Sequence, residues 1–391
     1  MKPFEGITII ECSTMITASF AAMMMGEQGA RVIKVEPIAA GDPMRSFGTN
    51  KGGMAGLFTN CNRGKESVRI DLKCEDGQAL MREIVQQADI VIHNFRPGVM
   101  DKLNLGSEAL RALNPRLVYM AISGFGKDGP LGHSPAYDPI IQAHAGFTAS
   151  QGGDEPVFVK NLMCDKITAY TACQAVTAAL YVREKTGEGQ HIDLSMLDSG
   201  LFFLFPDEFM NHTLLDDDAQ FQPILSDLLY DLTHTKDGSL TITAGTAGQR
   251  AGILAALGRE DLMTDPRFDT MEKLFLNLDE YRGILNEAFM ALTTDEALKL
   301  LQENDVPCAK CHTLDEVLAQ PQLEANKSFD VQAHPLAGNI RVMKTPARFG
   351  GEVLDVGSPA PAHGEHTESA LKTFGVSDDR LQSLKEAGAV A

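Results

Sequence analysis

Between Ile7 and Ser123 short apolar runs alternate with helix-length segments, and no other feature limits the fold of this chain as strongly. Ile7 to Cys12 predicts a buried parallel strand, and Ile16 to Gly29 a helix rich in Ala and Met that stops at glycine. Arg31 to Glu36 predicts a second strand, so the chain opens βαβ. The pattern continues with strand Ser67 to Leu72, helix Cys74 to Gln87, strand Ile90 to Phe95, a helical stretch to Leu113 and strand Arg116 to Ser123. This predicts an α/β, Rossmann-like doubly wound layer, whose ligands bind beyond the carboxyl ends of the strands. Three such ends carry suggestive residues: Lys34 with Glu36, Asn94-Phe95-Arg96, and Ser123-Gly124-Phe125-Gly126. The turn after the first strand lacks G-x-G-x-x-G, which argues against a nicotinamide or flavin enzyme. Residues 37–56 mix Gly, Pro, Ser, Asn and charge into a long loop.

After Leu197 the pattern changes. Leu201 to Leu215 reads as a helix and Asp216 to Asp218 as an acidic break. Leu228 to Thr233 and Ser239 to Thr243 read as strands paired around Lys236-Asp237-Gly238. Helices are predicted at about Gln249 to Leu257, Leu278 to Leu292 and Thr294 to Glu303. The expected organisation is a large domain over 1–200, a linker over 201–224, a small α+β domain over 225–325, and a return to the large domain over 326–391.

The stretch from Pro156 to Ser199 holds one carboxylate of interest. From Asp165 onward, Thr168, Ala169, Ala172, Val176, Ala179 and Leu180 recur at helical spacing, so a buried helix begins at or just before this acid. Small residues at Ala169, Ala172, Cys173, Ala175, Ala178 and Ala179 allow close packing on a neighbour. Thr186-Gly187-Glu188-Gly189 ends the helix before the strand His191 to Leu197. From spacing alone, Asp165 is an N-cap that satisfies free backbone N–H groups.

A formal charge of −19 and a pI near 4.9 argue against nucleic-acid or anionic-membrane partners. From Arg31 to Lys102, however, eleven Lys and Arg face nine Asp and Glu, a locally basic stretch able to hold a small anion. No run of 18 uncharged apolar residues appears, no signal peptide is evident, and seven scattered cysteines suit a reducing compartment, so a cytoplasmic protein is expected. Cys308 and Cys311 form one C-x-x-C without two further ligands, and His363-Gly364-Glu365-His366 is not H-E-x-x-H, so no metal is expected.

Several motifs occur in a specific order along nearly the whole chain. They are Phe4-Glu5-Gly6, Gly29 to Glu36 with Gly41-Asp42, and Asn94 to Gly98, then Ser123 to Pro130, Pro135-Ala136-Tyr137-Asp138 and the Asp165 helix, and last Asp265 to Phe268 and Val306 to Ala309. In this order they resemble the class III CoA-transferases, the family that includes formyl-CoA transferase, carnitine CoA-transferase and α-methylacyl-CoA racemase. The resemblance implies that Asp165 is a nucleophile forming an aspartyl anhydride and then an aspartyl-CoA thioester, before CoA passes to an acceptor acid. A helix N-terminus would favour the anionic form that this needs. Coenzyme A is then substrate and product, and the resemblance places it near Thr14, Met15, Lys34, Leu72, Lys73, Asn94, Phe95, Arg96 and Lys102. Gly245-Thr246-Ala247-Gly248 aligns with a glycine-rich loop that closes over the intermediates, with a plain helix-start turn as the alternative. An interlocked homodimer is also implied.

Two departures bear on specificity. Racemases of the family carry G-H-D where this chain has Ala136-Tyr137-Asp138, so Tyr137 lines the site without supplying a second base. A glutamine that follows the first strand in formyl-CoA transferase is Ile16 here, which points away from formyl or oxalate chemistry. The expected activity is transfer of CoA from an acyl-CoA to a carboxylic acid. An acyl-CoA racemase or isomerase and a non-catalytic acyl-CoA-binding protein are the alternatives.

Overall fold

The computed structural model describes residues 2–151, 155–221 and 229–391. The chain divides into two compact units, Met1–Phe205 with Gln322–Ala391, and Pro206–Pro321.

The first unit is built on six parallel strands: β1 (Thr8–Cys12), β2 (Arg31–Glu36), β3 (Lys65–Arg69), β4 (Ile90–His93), β5 (Val118–Ser123) and β6 (His191–Ser195). Their order is β3-β2-β1-β4-β5-β6, the doubly wound arrangement expected from the alternation, with the reversal of direction between β1 and β4. The central strands are buried on both faces, as the runs around Ile9, Ile10, Val91 and Ile92 require.

Helices α1 (Ile16–Glu27), α2 (Asp138–Ala145), α3 (Met163–Thr186) and α4 (Met196–Glu208) position the segments that matter below. The neighbour that the small residues of α3 anticipate is α1. Ala18, Ala21 and Ala22 of α1 and Ala169, Ala172 and Val176 of α3 are all buried, and the Cys173 thiol donates to the Ala21 carbonyl at 3.4 Å. Gly187 ends α3 in the left-handed region, φ 82°, with its N–H on the Arg183 carbonyl at 2.8 Å. The tail returns to this unit: Ala370, Leu371, Leu381 and Leu384 pack into the core on one face of the sheet. The His363–His366 segment pins it there, through Gly364 N–H to Ser67 Oγ at 2.8 Å and His363 to the Pro37 carbonyl at 3.0 Å.

The second unit contains a three-stranded antiparallel sheet, β7 (Thr233–His234), β8 (Ser239–Ile242) and β9 (Cys308–Lys310), in the order β9-β8-β7. Helices α5 (Ala247–Leu257) and α6 (Leu278–Met290) pack with it. The hairpin around Lys236-Asp237-Gly238 forms, and Asp237 accepts the Thr294 N–H at 2.8 Å. Leu228, where the first strand of that hairpin was expected to start, and the expected boundary at 224/225 lie outside the described residues. Among the described residues no helix is long and apolar enough to cross a membrane.

Candidate active site

At the point where the strand order reverses, the turns after β1 and β4 diverge and leave a cavity of ≈ 280 Å³. It is lined by Thr14, Met15, Asn94, Phe95 and Arg96 from those turns, and by Tyr137 and Asp165 from the starts of α2 and α3. Seven residues singled out in the sequence therefore meet on one cavity. Arg96 with Phe95 also lines a second cavity, ≈ 210 Å³, with His93, Tyr119, His191 and Asp193 on its other walls.

The turn after β1 is strained. Met15 adopts φ 61°, ψ −156°, a conformation that costs a β-carbon-bearing residue on the order of 1–3 kcal/mol. Four hydrogen bonds hold it. Asp42 Oδ1 accepts the Met15 N–H at 3.2 Å. Asn94 Oδ1 accepts the Thr14 N–H at 3.1 Å, and Asn94 Nδ2 donates to the Thr14 carbonyl at 2.6 Å and to Thr17 Oγ1 at 3.0 Å. Asn94 thus reaches the cavity wall, but its amide is committed to shaping it.

Asp42 leads inward to a buried charge cluster. Lys34 Nζ lies 2.9 Å from Asp42 Oδ2 and 2.7 Å from Glu11 Oε1, and Lys65 Nζ lies 2.6 Å from Glu11 Oε2, with all four side chains fully shielded from solvent. Burial opposes the Lys34 charge, yet Glu11, Asp42 and Glu36 together hold its pKa above the ordinary lysine value. Lys34 is therefore not a phosphate contact, contrary to expectation: its charge is already balanced in the core. The basic stretch is largely neutralised in the same way, because Arg31, Arg45, Arg63 and Lys65 pair with Glu66, Glu36, Glu27 and Glu11. Arg96 is exposed at the cavity and, among the described residues, forms no ion pair. Leu72, Lys73 and Lys102 line neither cavity. Leu72 packs against the core and the two lysines are exposed.

Asp165 is not the N-cap that spacing suggests. The helix starts at Met163, the cap position is Leu162, and that residue makes no side-chain capping bond. The carboxylate that caps α3 is Asp138, whose Oδ2 accepts the Asp165 N–H at 3.0 Å. Asp138 is 2% exposed. Its Oδ1 accepts from Gln142 Nε2 at 2.6 Å, and the same amide reaches the Val159 and Asn161 carbonyls at 3.1 and 2.9 Å, tying the approach to α3 onto α2. With its backbone N–H held this way, the Asp165 side chain is left to the cavity. Burial, reinforced by the Asp138 carboxylate and opposed by Lys166, pushes the Asp165 carboxyl up to about 7. The expected help from the helix dipole is therefore outweighed, and the group titrates near neutrality.

Tyr137 is 70% exposed, directly before Asp138 at the cavity rim. The residues that sequence reasoning missed are Asp138 and His93. Gln142 four residues after Asp138 is the one local signal for the first. His93 sits at the end of β4, accepts the Phe95 N–H on Nδ1 at 3.3 Å, and is held down to about 4 by burial and by His191, so it is neutral. Gly245 and Gly248 belong to the second unit. There the Gln249 side chain accepts the Gly245 and Thr246 N–H groups at 2.9 and 3.2 Å, and Thr246 Oγ1 accepts the Gln249 N–H, forming a capping box at the start of α5.

Residues 4–367 match the family model described as CoA-transferase family III. The chain is 33% identical over 362 residues to acetyl-CoA:oxalate CoA-transferase of Acetobacter aceti, covering 89% of this chain and 90% of that one. It is 30% identical over 397 residues to human succinyl-CoA:glutarate CoA-transferase, covering 100% and 90%. The crystal structure of a CAIB/BAIF family protein from Brucella suis superimposes with a TM-score of 0.84 at 30% identity, covering 95% of this chain and 99% of that one. The chain belongs to CoA-transferase family III.

Proposed function

We propose that this protein moves CoA from an acyl-CoA to a carboxylic acid with Asp165 as the covalent carrier. The observation that carries the reading is a carboxyl at the switch-point cavity whose pKa of about 7 leaves it poised between acid and nucleophile, with its backbone fixed by Asp138. The Asp165 carboxylate attacks the thioester carbonyl, the C–S bond breaks, and the CoA thiolate leaves an aspartyl anhydride. The thiolate then attacks the aspartyl carbonyl and releases the donor acid, giving an aspartyl thioester. Attack by the acceptor carboxylate forms a second anhydride and frees the thiolate again. Its addition to the acceptor carbonyl gives the new acyl-CoA and restores Asp165.

A carboxylate with a raised pKa suits this role, because its basicity and nucleophilicity rise together while half of it remains ionised near pH 7. Arg96 and Phe95 would receive the nucleotide end of CoA, with exposed Lys73 and Lys102 available to its phosphates. Gly245 and Gly248 would close over the intermediates, and the protein would act as a cytoplasmic homodimer. Acids of the kind named for the relatives, such as oxalate, succinate and glutarate, are the first acceptors to test. Asp165→Ala should abolish transfer from succinyl-CoA and acetyl-CoA across such a panel. Retained transfer in that variant would remove Asp165 from the chemistry, and deuterium wash-in at an α-carbon without any acceptor would indicate an isomerase instead.

A further inference from the structure

One buried amide is bonded in a way that stability alone does not explain. Gln142 on α2 is 2% exposed, and its Nε2 donates to Asp138 Oδ1 at 2.6 Å, to the Asn161 carbonyl at 2.9 Å and to the Val159 carbonyl at 3.1 Å. A carboxamide has two N–H donors for these three acceptors, while Gln142 Oε1 is buried without a partner. Leaving such an oxygen unsatisfied is unfavourable. A lysine ammonium would bring three donors and no idle acceptor to the same place. It would also set a cation against Asp138. The glutamine forgoes hydrogen bonds and leaves its partner's charge uncompensated.

The three acceptors bracket Asp165. Asp138 accepts the Asp165 N–H through Oδ2 at 3.0 Å, so both of its oxygens are met by neutral donors. Val159 and Asn161 lie on the approach to α3, and the Asn161 carbonyl also accepts the N–H of Met163, the first residue of that helix, at 2.8 Å. The titratable and charged groups around Asp165 are Asp138 from α2, Lys166 and the Cys164 thiol from α3, and Arg96 and Tyr137 from other walls of the cavity. Burial pushes the Cys164 thiol up to about 12, so it stays un-ionised. We propose that Gln142 is a positioning residue for CoA transfer, its neutral amide holding the Asp138 carboxylate and the start of α3 in place around Asp165 without offsetting the Asp138 charge. This role rests on the covalent one proposed for Asp165.

NMR of the full chain labelled at its aspartate carboxyl carbons reads the ionisation of Asp165 without substrate, its signal assigned by loss in Asp165→Asn. Gln142→Met keeps the volume and removes the donor. Asp138 then loses a hydrogen bond that favours its charged form, so the Asp165 midpoint should fall by about half a pH unit or more. In an Asp138→Asn background the same change should leave the midpoint in place. At about pH 9, where Asp165 is ionised in both proteins, single-turnover transfer from succinyl-CoA to glutarate should be about tenfold slower or more in Gln142→Met than in wild type. If that variant does not fold, Gln142→Lys, which can satisfy every acceptor, should lower the midpoint by about one unit or more. An unmoved midpoint, equal shifts with Asp138 and with Asn at that position, or an unaltered rate at high pH would overturn the proposal. Transfer retained by Asp165→Ala would sink the carrier reading itself and this role with it, whereas a failure of Gln142 alone leaves Asp165→Ala inactive.

Discussion

The Asp138 carboxylate accepts the backbone N–H of Asp165 at 3.0 Å, so one acid fixes the position of another while raising its pKa. The Asp138 carboxylate anchors the start of α3, and burial first and its charge second make Asp165 reluctant to ionise. Positioning and chemistry are linked through a single residue pair.

The Asp165 carboxyl ionises near 3.8 in an unfolded chain and near 7 when folded. Between these values the folded state holds the extra proton, so this group's contribution to stability falls as pH rises through the window. Asp165→Asn should therefore unfold at higher denaturant than wild type at pH 8, by on the order of 2–4 kcal/mol, and match it near pH 4. Equal stability of the two proteins at pH 8 would show that Asp165 ionises normally.

If the carboxylate is the nucleophile, kcat/KM rises with pH up to about 7 and then levels. Asp138→Asn keeps an acceptor for the Asp165 N–H but removes the like charge, so the midpoint should move to lower pH. A pH profile of single-turnover rates for both proteins measures this. An unmoved midpoint would assign the shift to burial alone.

Lys34 and Arg96 should respond oppositely to substitution. Lys34→Met strands Glu11 and Asp42 in the core and should lose about 3–5 kcal/mol of stability. Arg96→Ala should leave thermal unfolding nearly unchanged and raise KM for the acyl-CoA about tenfold or more. Thermal melts with donor titrations separate the two roles.

Ala172 is fully buried on α3, a helix that packs against α1. Ala172→Leu should destabilise by about 1–3 kcal/mol through overpacking, read by urea unfolding. A neutral result would mean that the two helices separate more easily than their small residues suggest.

The sheet is legible in the sequence because its strands are apolar runs separated by glycine and helical spacing, and Arg31–Glu36 coincides with β2 to the residue. The three-residue strand Cys308–Lys310 is too short to stand out by pattern, and α2 lies in a stretch read only as a motif. Lys34 misleads for a specific reason. A lysine near a strand end resembles a ligand contact, whereas its partner Glu11 sits directly across in register on β1 and Asp42 arrives from a loop. Two opposite charges on neighbouring apolar strands are the trace of such a pair, visible only once the pairing is known. Asp138 is illegible for the same cause, since its relation to Asp165 spans 27 residues and exists only in the folded chain.

The most direct test of the central claim is to incubate the protein with succinyl-CoA and hydroxylamine and map the modified peptide by mass spectrometry. An activated acyl group on Asp165 predicts a hydroxamate on the peptide that contains it, dependent on the acyl-CoA and absent from Asp165→Asn. An unmodified Asp165 peptide during active turnover, or a hydroxamate on another carboxylate, would contradict the account.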